Sequence, residues 1–357
     1  MHLAQLRARN FRLFEGLSLR PHRQLNLILG ANAAGKTTLL ESIFCLGRGR
    51  SFRGNSPSEL AGQNERRWAV TGVVEEENDR PPASVLVQWS DAGTELRLAR
   101  ATATTAELVR ALPVQILEPA THRLLHDGPS YRRSYLDWGV FHVEQAFYPA
   151  WRRYQRALRQ RNQALRSRAE PRMIAAWDPE LAGAAAEIDQ YRRDHLSRLH
   201  HRFGELVSRF LGIADWSLEL QPGWGGGRTL IENLHEHLGR DRRTGVTSVG
   251  PHRAELRIRL DRHQVRNRLS RGQLKLLLAA LLLAQCEEIG RHGGRQPILL
   301  MDDFAAELAE AFQKSLLITL AQYPGQVFIT AFEAAGPLRE SGDAATFHVE
   351  QGRLRVT

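Results

Sequence analysis

Gly30-Ala31-Asn32-Ala33-Ala34-Gly35-Lys36-Thr37-Thr38 has the residue types and spacing to hold a run of phosphates. The pattern is GxxxxGK[ST], entered from apolar residues 25–29 and left through a helical stretch, 39–46, which is the strand–loop–helix setting such a loop requires. Successive backbone N–H groups at a helix N-terminus surround an anion, and the helix dipole favours its charge. Gly30 and Gly35 supply close approach that a β-carbon would obstruct. Lys36 is a compact charge for β- and γ-phosphates, and the Thr37 hydroxyl is the expected Mg²⁺ ligand. Of 49 Lys and Arg only Lys36, Lys275 and Lys314 are lysines. The loop keeps one of them where a planar guanidinium fork would not substitute. Ala33, where related loops often carry glycine, asks for a negative φ.

Far along the chain, apolar Pro297-Ile298-Leu299-Leu300-Met301 ends in Asp302 and Asp303. Two carboxylates delivered by a strand beside a phosphate loop can serve as a Mg²⁺ ligand and a water-activating group. Between the two segments, Leu269-Ser270-Arg271-Gly272-Gln273 resembles the signature of ABC-type ATPases. Together the segments describe one site for ATP and Mg²⁺ with its parts at opposite ends of the chain.

A site divided this way needs an α/β head interrupted by an insertion. Residues 1–128 form the first part of the head, 129–245 an inserted and mostly helical domain, and 246–357 the second part. In the first part, residues 3–14 alternate like a strand, 17–19 and 25–29 follow, and 68–75, 84–89 and 95–100 read as an antiparallel set. In the last part strands return, followed by the apolar helix after the signature, the 298–301 strand, another helix and a strand at 327–330.

The insertion has its own pattern. Trp151, Tyr154, Leu158 and Leu165 share one helical face. Residues 151–172 hold eight arginines and one acid, Glu170. A second helix starts with Asp178 as N-cap and Pro179 at its first position. Its stripe runs Ile188, Tyr191, His195, Leu199, Phe203, Leu206, Phe210, and Gly212 is a suitable stop. At 1.5 Å per residue that helix is about 50 Å long. Two such helices joined near Pro171 make a short antiparallel arm, with His195 packed in the seam.

Composition agrees. The 357 residues are 42% hydrophobic, ample for a core. No apolar stretch reaches the roughly 18 residues of a membrane span, and the start lacks a signal-peptide core, so a cytoplasmic protein with no membrane partner is expected. Cys45 and Cys286 form no CxxC pair, and the His residues show no ligand spacing. A net charge of +10 favours a polyanionic partner, nucleic acid. Candidate phosphate contacts are Arg152, Arg153, Arg156 and Arg159 on the first arm helix, with Arg50 and Arg53 after the P-loop helix.

Longer blocks are more specific. Gly128-Pro129-Ser130-Tyr131-Arg132-Arg133-Ser134-Tyr135-Leu136-Asp137-Trp138-Gly139-Val140-Phe141-His142 resembles the block that marks the RecF family of bacterial recombination mediators. The P-loop, residues 47–53 and 151–165, Val249-Gly250-Pro251-His252-Arg253, residues 269–277 and Asp302-Asp303-Phe304 match the same family in order. The resemblance covers essentially the whole chain. It implies an SMC-like ABC-type ATPase that dimerises on ATP and acts in recombinational repair and replication. Such a protein binds duplex DNA and single-strand/double-strand junctions at gaps. With the RecR and RecO proteins it promotes replacement of single-strand binding protein by recombinase.

Carried over residue by residue, Ser270 caps the helix that begins at Arg271, and Ser270, Arg271, Gly272 and Gln273 face the γ-phosphate held by the opposite subunit. Asp302 holds Mg²⁺, and Asp303 stands where transporters have a catalytic Glu. The shorter carboxylate fits slow, DNA-stimulated hydrolysis that acts as a switch. Gln115 matches the glutamine that senses Mg²⁺ and the attacking water. One departure is Ala306-Glu307-Leu308-Ala309, where the family usually has Ser-Glu-Leu-Asp; it puts communication across the dimer in doubt. Two alternatives remain. A short SMC- or Rad50-like chromosome ATPase is one, although that class needs hundreds of heptad residues plus a hinge or a CxxC hook. A transporter nucleotide-binding subunit is the other, and it needs a membrane-docking helical subdomain in place of a basic arm.

Overall fold

The computed structural model describes residues 1–357 except 55, 77–80, 226, 261–262, 266–268, 335–336, 339–343 and 357. Its contacts divide the chain into two units. One comprises Met1–Thr121, Arg209–Leu211 and Ser270–Thr357, the other His122–Ser208 and Gly212–Leu269.

The first unit is the interrupted α/β head. One sheet has the strand order Arg353–Val356, Ala344–Glu350, Leu25–Leu29, Val327–Ala331, Ile298–Met301, Val114–Leu117. All neighbours are parallel except the edge hairpin. Every residue of Leu25–Leu29, Val327–Ala331, Ile298–Met301 and Val114–Leu117 is buried, as parallel strands covered on both faces require. A second, antiparallel sheet runs Phe14–Leu19, His2–Phe11, Arg67–Glu75, Ala83–Ser90, Gly93–Leu98, Ala101–Thr102. The helix Lys36–Arg48 contributes Leu39, Leu40, Ile43 and Leu46 to a core shared with both sheets. Because strands 25–29 and 298–301 flank 327–331 in parallel, the P-loop and the two carboxylates leave the sheet at the same edge. Ligands of doubly wound sheets bind at that carboxyl edge.

The second unit holds the helices Pro129–Val143, Phe147–Arg166 and Leu230–Thr244 and most of Asp178–Leu211. Arg153 pairs with Glu187 and Arg161 with Asp178, so the two long helices run antiparallel. Gly212, at φ 68°, ends the longer one and donates its N–H to the Ser208 carbonyl. His195 is buried in the seam.

Two expectations change here. Trp177, in a helical conformation, occupies the N-cap position, and Asp178 makes no cap. The Asp178 carboxylate instead accepts a 2.8 Å bond from Arg161 Nε, because a buried guanidinium needs it more than a first-turn N–H that water can reach. The segment 246–269, expected in the head, lies in the second unit. Glu255–Leu260 alternates buried and half-buried like a head strand, but its partner is Trp216–Gln221 of the insertion. Periodicity marks a strand without naming its neighbour.

Candidate functional site

Strand Leu25–Leu29 feeds the loop, and helix Lys36–Arg48 starts with no side-chain cap and no acid in its first turn. Its orphan N–H groups are therefore left for an anion. Ala34 N–H closes a turn on the Ala31 carbonyl, and Ala33 takes φ 62°. The expected negative φ is thus corrected. The third residue of such a turn takes positive φ, where glycine is preferred, and alanine costs roughly 1–2 kcal/mol there. Lys36 is 7% exposed, and its Nζ donates to the Gly30 and Ala31 carbonyls at 2.7 and 2.9 Å. The ammonium is thereby held over its own loop, ready to exchange carbonyls for phosphate oxygens.

The distal carboxylates complete the site. Asp302 Oδ1 accepts from Thr37 Oγ1 at 3.1 Å and from Thr330 Oγ1 at 2.7 Å. The Thr330 hydroxyl also accepts the Asp303 N–H at 2.9 Å. Thr330 was missed by sequence reasoning; its one signal is a hydroxyl residue near the end of an apolar strand. Thr37 and Asp302 present an oxygen-only donor set, which suits Mg²⁺. Asp303 adopts φ 53° and is exposed, its carbonyl accepting Lys275 Nζ at 2.5 Å. Its carboxylate has no hydrogen-bonding or ion-pair partner among the described residues, so it is available to a water.

Gln115 is not brought to this site. It pairs with Leu299 in the parallel register, three residues before Asp302, about 10 Å along a strand. Its amide bonds Gln285 and Arg48, each at 3.3 Å. Arg48 closes the far end of the P-loop helix, about 18 Å from Lys36. The sequence-assigned catalytic and Mg²⁺ roles of Gln115 are therefore corrected. The residue level with Asp302 is Glu118, because Leu117 pairs with Met301.

Helix Arg271–His292 is capped by Ser270, whose Oγ accepts the Gln273 N–H while Gln273 Oε1 accepts the Ser270 N–H. This capping box leaves Ser270 exposed at the helix start. A β-carbon on Gly272 would lie 2.6 Å from the Glu307 carbonyl, so glycine is needed for the helix to approach segment 303–309. Lys275 binds the Asp303, Phe304 and Ala306 carbonyls, and burial lowers its pKa to about 8. Segment 306–309, which lacks the expected hydroxyl and carboxylate, is thus tied to the signature helix largely through its main chain. Side chains add a weak, exposed Arg271–Glu307 approach at 3.6 Å.

The basic candidates divide. Arg50 and Arg53 are exposed in the head, with Arg53 4.0 Å from buried Glu41. In the second unit Arg152, Arg156 and Arg159 are exposed, and none has an acidic partner among the described residues. Arg153 is exposed but bonded to Glu187 and near Glu180, so its charge is largely answered. Arg161, one of the eight arginines in residues 151–172, is wholly buried between Asp178 and Asp241. No helix of the described residues is long and apolar enough to cross a membrane.

Comparison with known proteins agrees with the geometry. The family model for the RecF/RecN/SMC N terminal domain matches residues 2–352. The DNA replication and repair protein RecF of Azotobacter vinelandii is 39% identical, over 100% of this chain and 99% of its own. The Edwardsiella ictaluri protein of the same name is 37% identical, with 100% of each chain covered. This chain belongs to the RecF family. A solved structure of the recombination mediator RecF with ATP, of the RecFOR pathway, superposes with a TM-score of 0.87 at 25% identity, covering 100% of this chain and 97% of that one. An SMC head bound to the C-terminal winged-helix domain of ScpA shares the fold alone, with a TM-score of 0.60 at 15% identity.

The block resembling the RecF family is accounted for in the second unit. Pro129 opens its helix, Arg132 forms a bidentate pair with Glu255, and Asp137 does so with Arg192. These forks fix the helix within its own unit.

Proposed function

We propose that this chain is an ATP-dependent DNA-binding protein of recombinational repair and replication. ATP and Mg²⁺ drive its dimerisation, it binds DNA at gaps, and it helps load recombinase onto strands coated by single-strand binding protein. RecR and RecO proteins are its partners, and the cytoplasm is its place of action. The observation that carries the reading is the Thr37–Asp302 hydrogen bond, which joins the P-loop to a carboxylate 265 positions away. The relatives named for DNA replication and repair, and a neighbour solved with ATP, support it.

Lys36 and the free N–H groups of its helix bind and orient the phosphates. Thr37 and Asp302 would hold Mg²⁺, which supplies charge neutralisation at the β- and γ-phosphates. Asp303 orients the attacking water and draws its proton; a carboxylate this short fits slow turnover. Ser270, at the exposed start of the signature helix, serves the γ-phosphate of a second copy. Arg152, Arg156 and Arg159, with Arg50 and Arg53, meet backbone phosphates, so binding is sequence-independent and salt-sensitive.

The test is sedimentation together with duplex-binding anisotropy, with ATP, with ADP and without nucleotide. ATP should produce a dimer with higher DNA affinity, and Asp303→Asn should trap that form. Arg152→Glu with Arg156→Glu should weaken duplex binding and flatten the salt slope by about 2. A chain whose assembly and DNA affinity ignore ATP would refute the reading.

A further inference from the structure

Two blocks that mark this sequence, residues 128–142 and 249–253, take no part in the nucleotide site. They meet instead in a recess of about 250 Å³ in the second unit, lined by Ser130, Arg133, Ser134, Trp151, Gln155 and His252 among others. Ser130, Arg133, Ser134 and Asp137 follow i, i+3, i+4, i+7 spacing, so they share one face of helix Pro129–Val143.

The floor of the recess is rigid. Tyr154 Oη donates to His252 Nδ1 at 2.5 Å, the tautomer set by His252 Nε2–H donating to the Thr247 carbonyl at 2.9 Å. Burial pushes the His252 pKa down to about 4, so the ring is neutral near pH 7. Gly250, at φ 127°, has no room for a side chain: a β-carbon would stand 2.5 Å from the Tyr154 hydroxyl.

The charges do not balance. Asp137 is taken by Arg192 at 2.7 and 2.9 Å, and Glu255 by Arg132 at 2.6 and 2.9 Å. Arg133 donates to the Ala254 carbonyl at 2.8 Å and has no carboxylate partner among the described residues. Arg253 nearby is exposed, likewise with no ion pair among the described residues. Partial burial first, then Arg192 and Arg253, hold the Arg133 pKa below its usual value, although the nearby carboxylates of Asp137 and Glu255 pull the other way. A bound anion would relieve that crowding. Beside it, Trp151 stacks parallel to Tyr148, with centroids 6.4 Å apart and planes at 11°, and the Arg152 guanidinium lies 6.0 Å from the Tyr148 ring.

We propose that this recess binds one nucleotide of single-stranded DNA, its phosphate on Arg133 with the Ser130 and Ser134 hydroxyls, and its base against Trp151. The proposal rests on the DNA-binding reading above and adds where the unpaired strand goes. Duplex phosphates are held on a stiff backbone and meet a protein surface from outside, whereas a flexible strand can turn one nucleotide into a recess. Cations interleaved with aromatic rings are the means by which single strands are held without sequence preference.

The test uses the full chain with ATP, titrated into labelled oligothymidylate and a blunt duplex. Arg133→Gln removes the charge, while Ser134→Glu places a carboxylate on the exposed rim without disturbing a buried contact. Each should weaken oligothymidylate binding about tenfold or more with blunt-duplex binding unchanged. Arg133→Gln should also lower the magnitude of the single-strand salt slope by about 0.7. Trp151→Ala should weaken the same ligand about tenfold, with recovery in Trp151→Phe. Unchanged oligothymidylate affinity in both recess variants overturns the assignment, the more so where inorganic phosphate binds, which marks a small-anion site. Equal losses for duplex and single strand overturn the strand preference. Duplex binding that depends on Arg152 and Arg156 while both recess variants hold single strands normally sinks the recess alone; a wild-type chain that binds neither ligand sinks the DNA reading itself.

Discussion

Thr330→Val replaces one hydroxyl with a methyl group at a fully buried position. That hydroxyl donates to the Asp302 carboxylate at 2.7 Å and accepts the Asp303 N–H at 2.9 Å. A bond to a charged acceptor contributes about 1.5–3 kcal/mol and an ordinary amide bond about 1 kcal/mol, so the head should lose roughly 3 kcal/mol. The loss also has a functional direction. Asp302 keeps only Thr37 among its two hydroxyl partners, and the Asp303 N–H loses its acceptor while the Asp303 carbonyl keeps Lys275. Nucleotide affinity measured with Mg²⁺ should therefore fall about tenfold or more, while affinity measured in chelator changes little. Thr330→Ser restores the hydroxyl and should recover both. Urea unfolding and nucleotide titration with and without Mg²⁺ read the two effects. A Thr330→Val chain with wild-type unfolding and wild-type Mg²⁺-dependent affinity would show that Thr330 does not hold the carboxylates.

The other expectations follow from burial and backbone geometry. His195 has both ring nitrogens buried without a hydrogen bond, and burial lowers its pKa from 6.5 to about 3. The neutral ring is favoured in the fold, so the stability it confers is complete above pH 6.5 and is lost as pH falls toward 3. At pH 5 that loss is roughly 2 kcal/mol, and His195→Leu should flatten the acid slope of a urea-unfolding series. Arg161→Met strands Asp178 and Asp241 in the interior and should cost about 3–5 kcal/mol, partly recovered at acid pH as the carboxylates protonate; calorimetry across pH would detect it. Ala33→Gly relieves a positive φ of 62° in the phosphate loop, and the folded head should be unharmed or up to about 1 kcal/mol more stable in urea unfolding, with ATP affinity retained.

Local features were legible in the sequence because their causes are local. The P-loop reads from glycine, lysine and threonine at fixed spacing beside an apolar strand. The Ser270 cap, the Gly212 stop and the buried stripe through His195 follow from one helical turn and its repeat. What failed depended on neighbours far along the chain. Gln115 has the residue type of a water-sensing group, but parallel register sets it opposite Leu299, below the level of Asp302. Arg153 and Arg161 looked like free charges in a count of eight bases against one acid; the antiparallel helix supplies Glu187 and Asp178 as their partners. Thr330 joins Asp302 only because strand Val327–Ala331 lies between the two strands that carry the site. Sequence alone determined which groups could bind phosphate and metal, since that chemistry belongs to residue types and short spacings. Which of them stand together was decided by strand register and helix pairing, because burial forces each charged or polar group onto whichever partner the fold brings within reach.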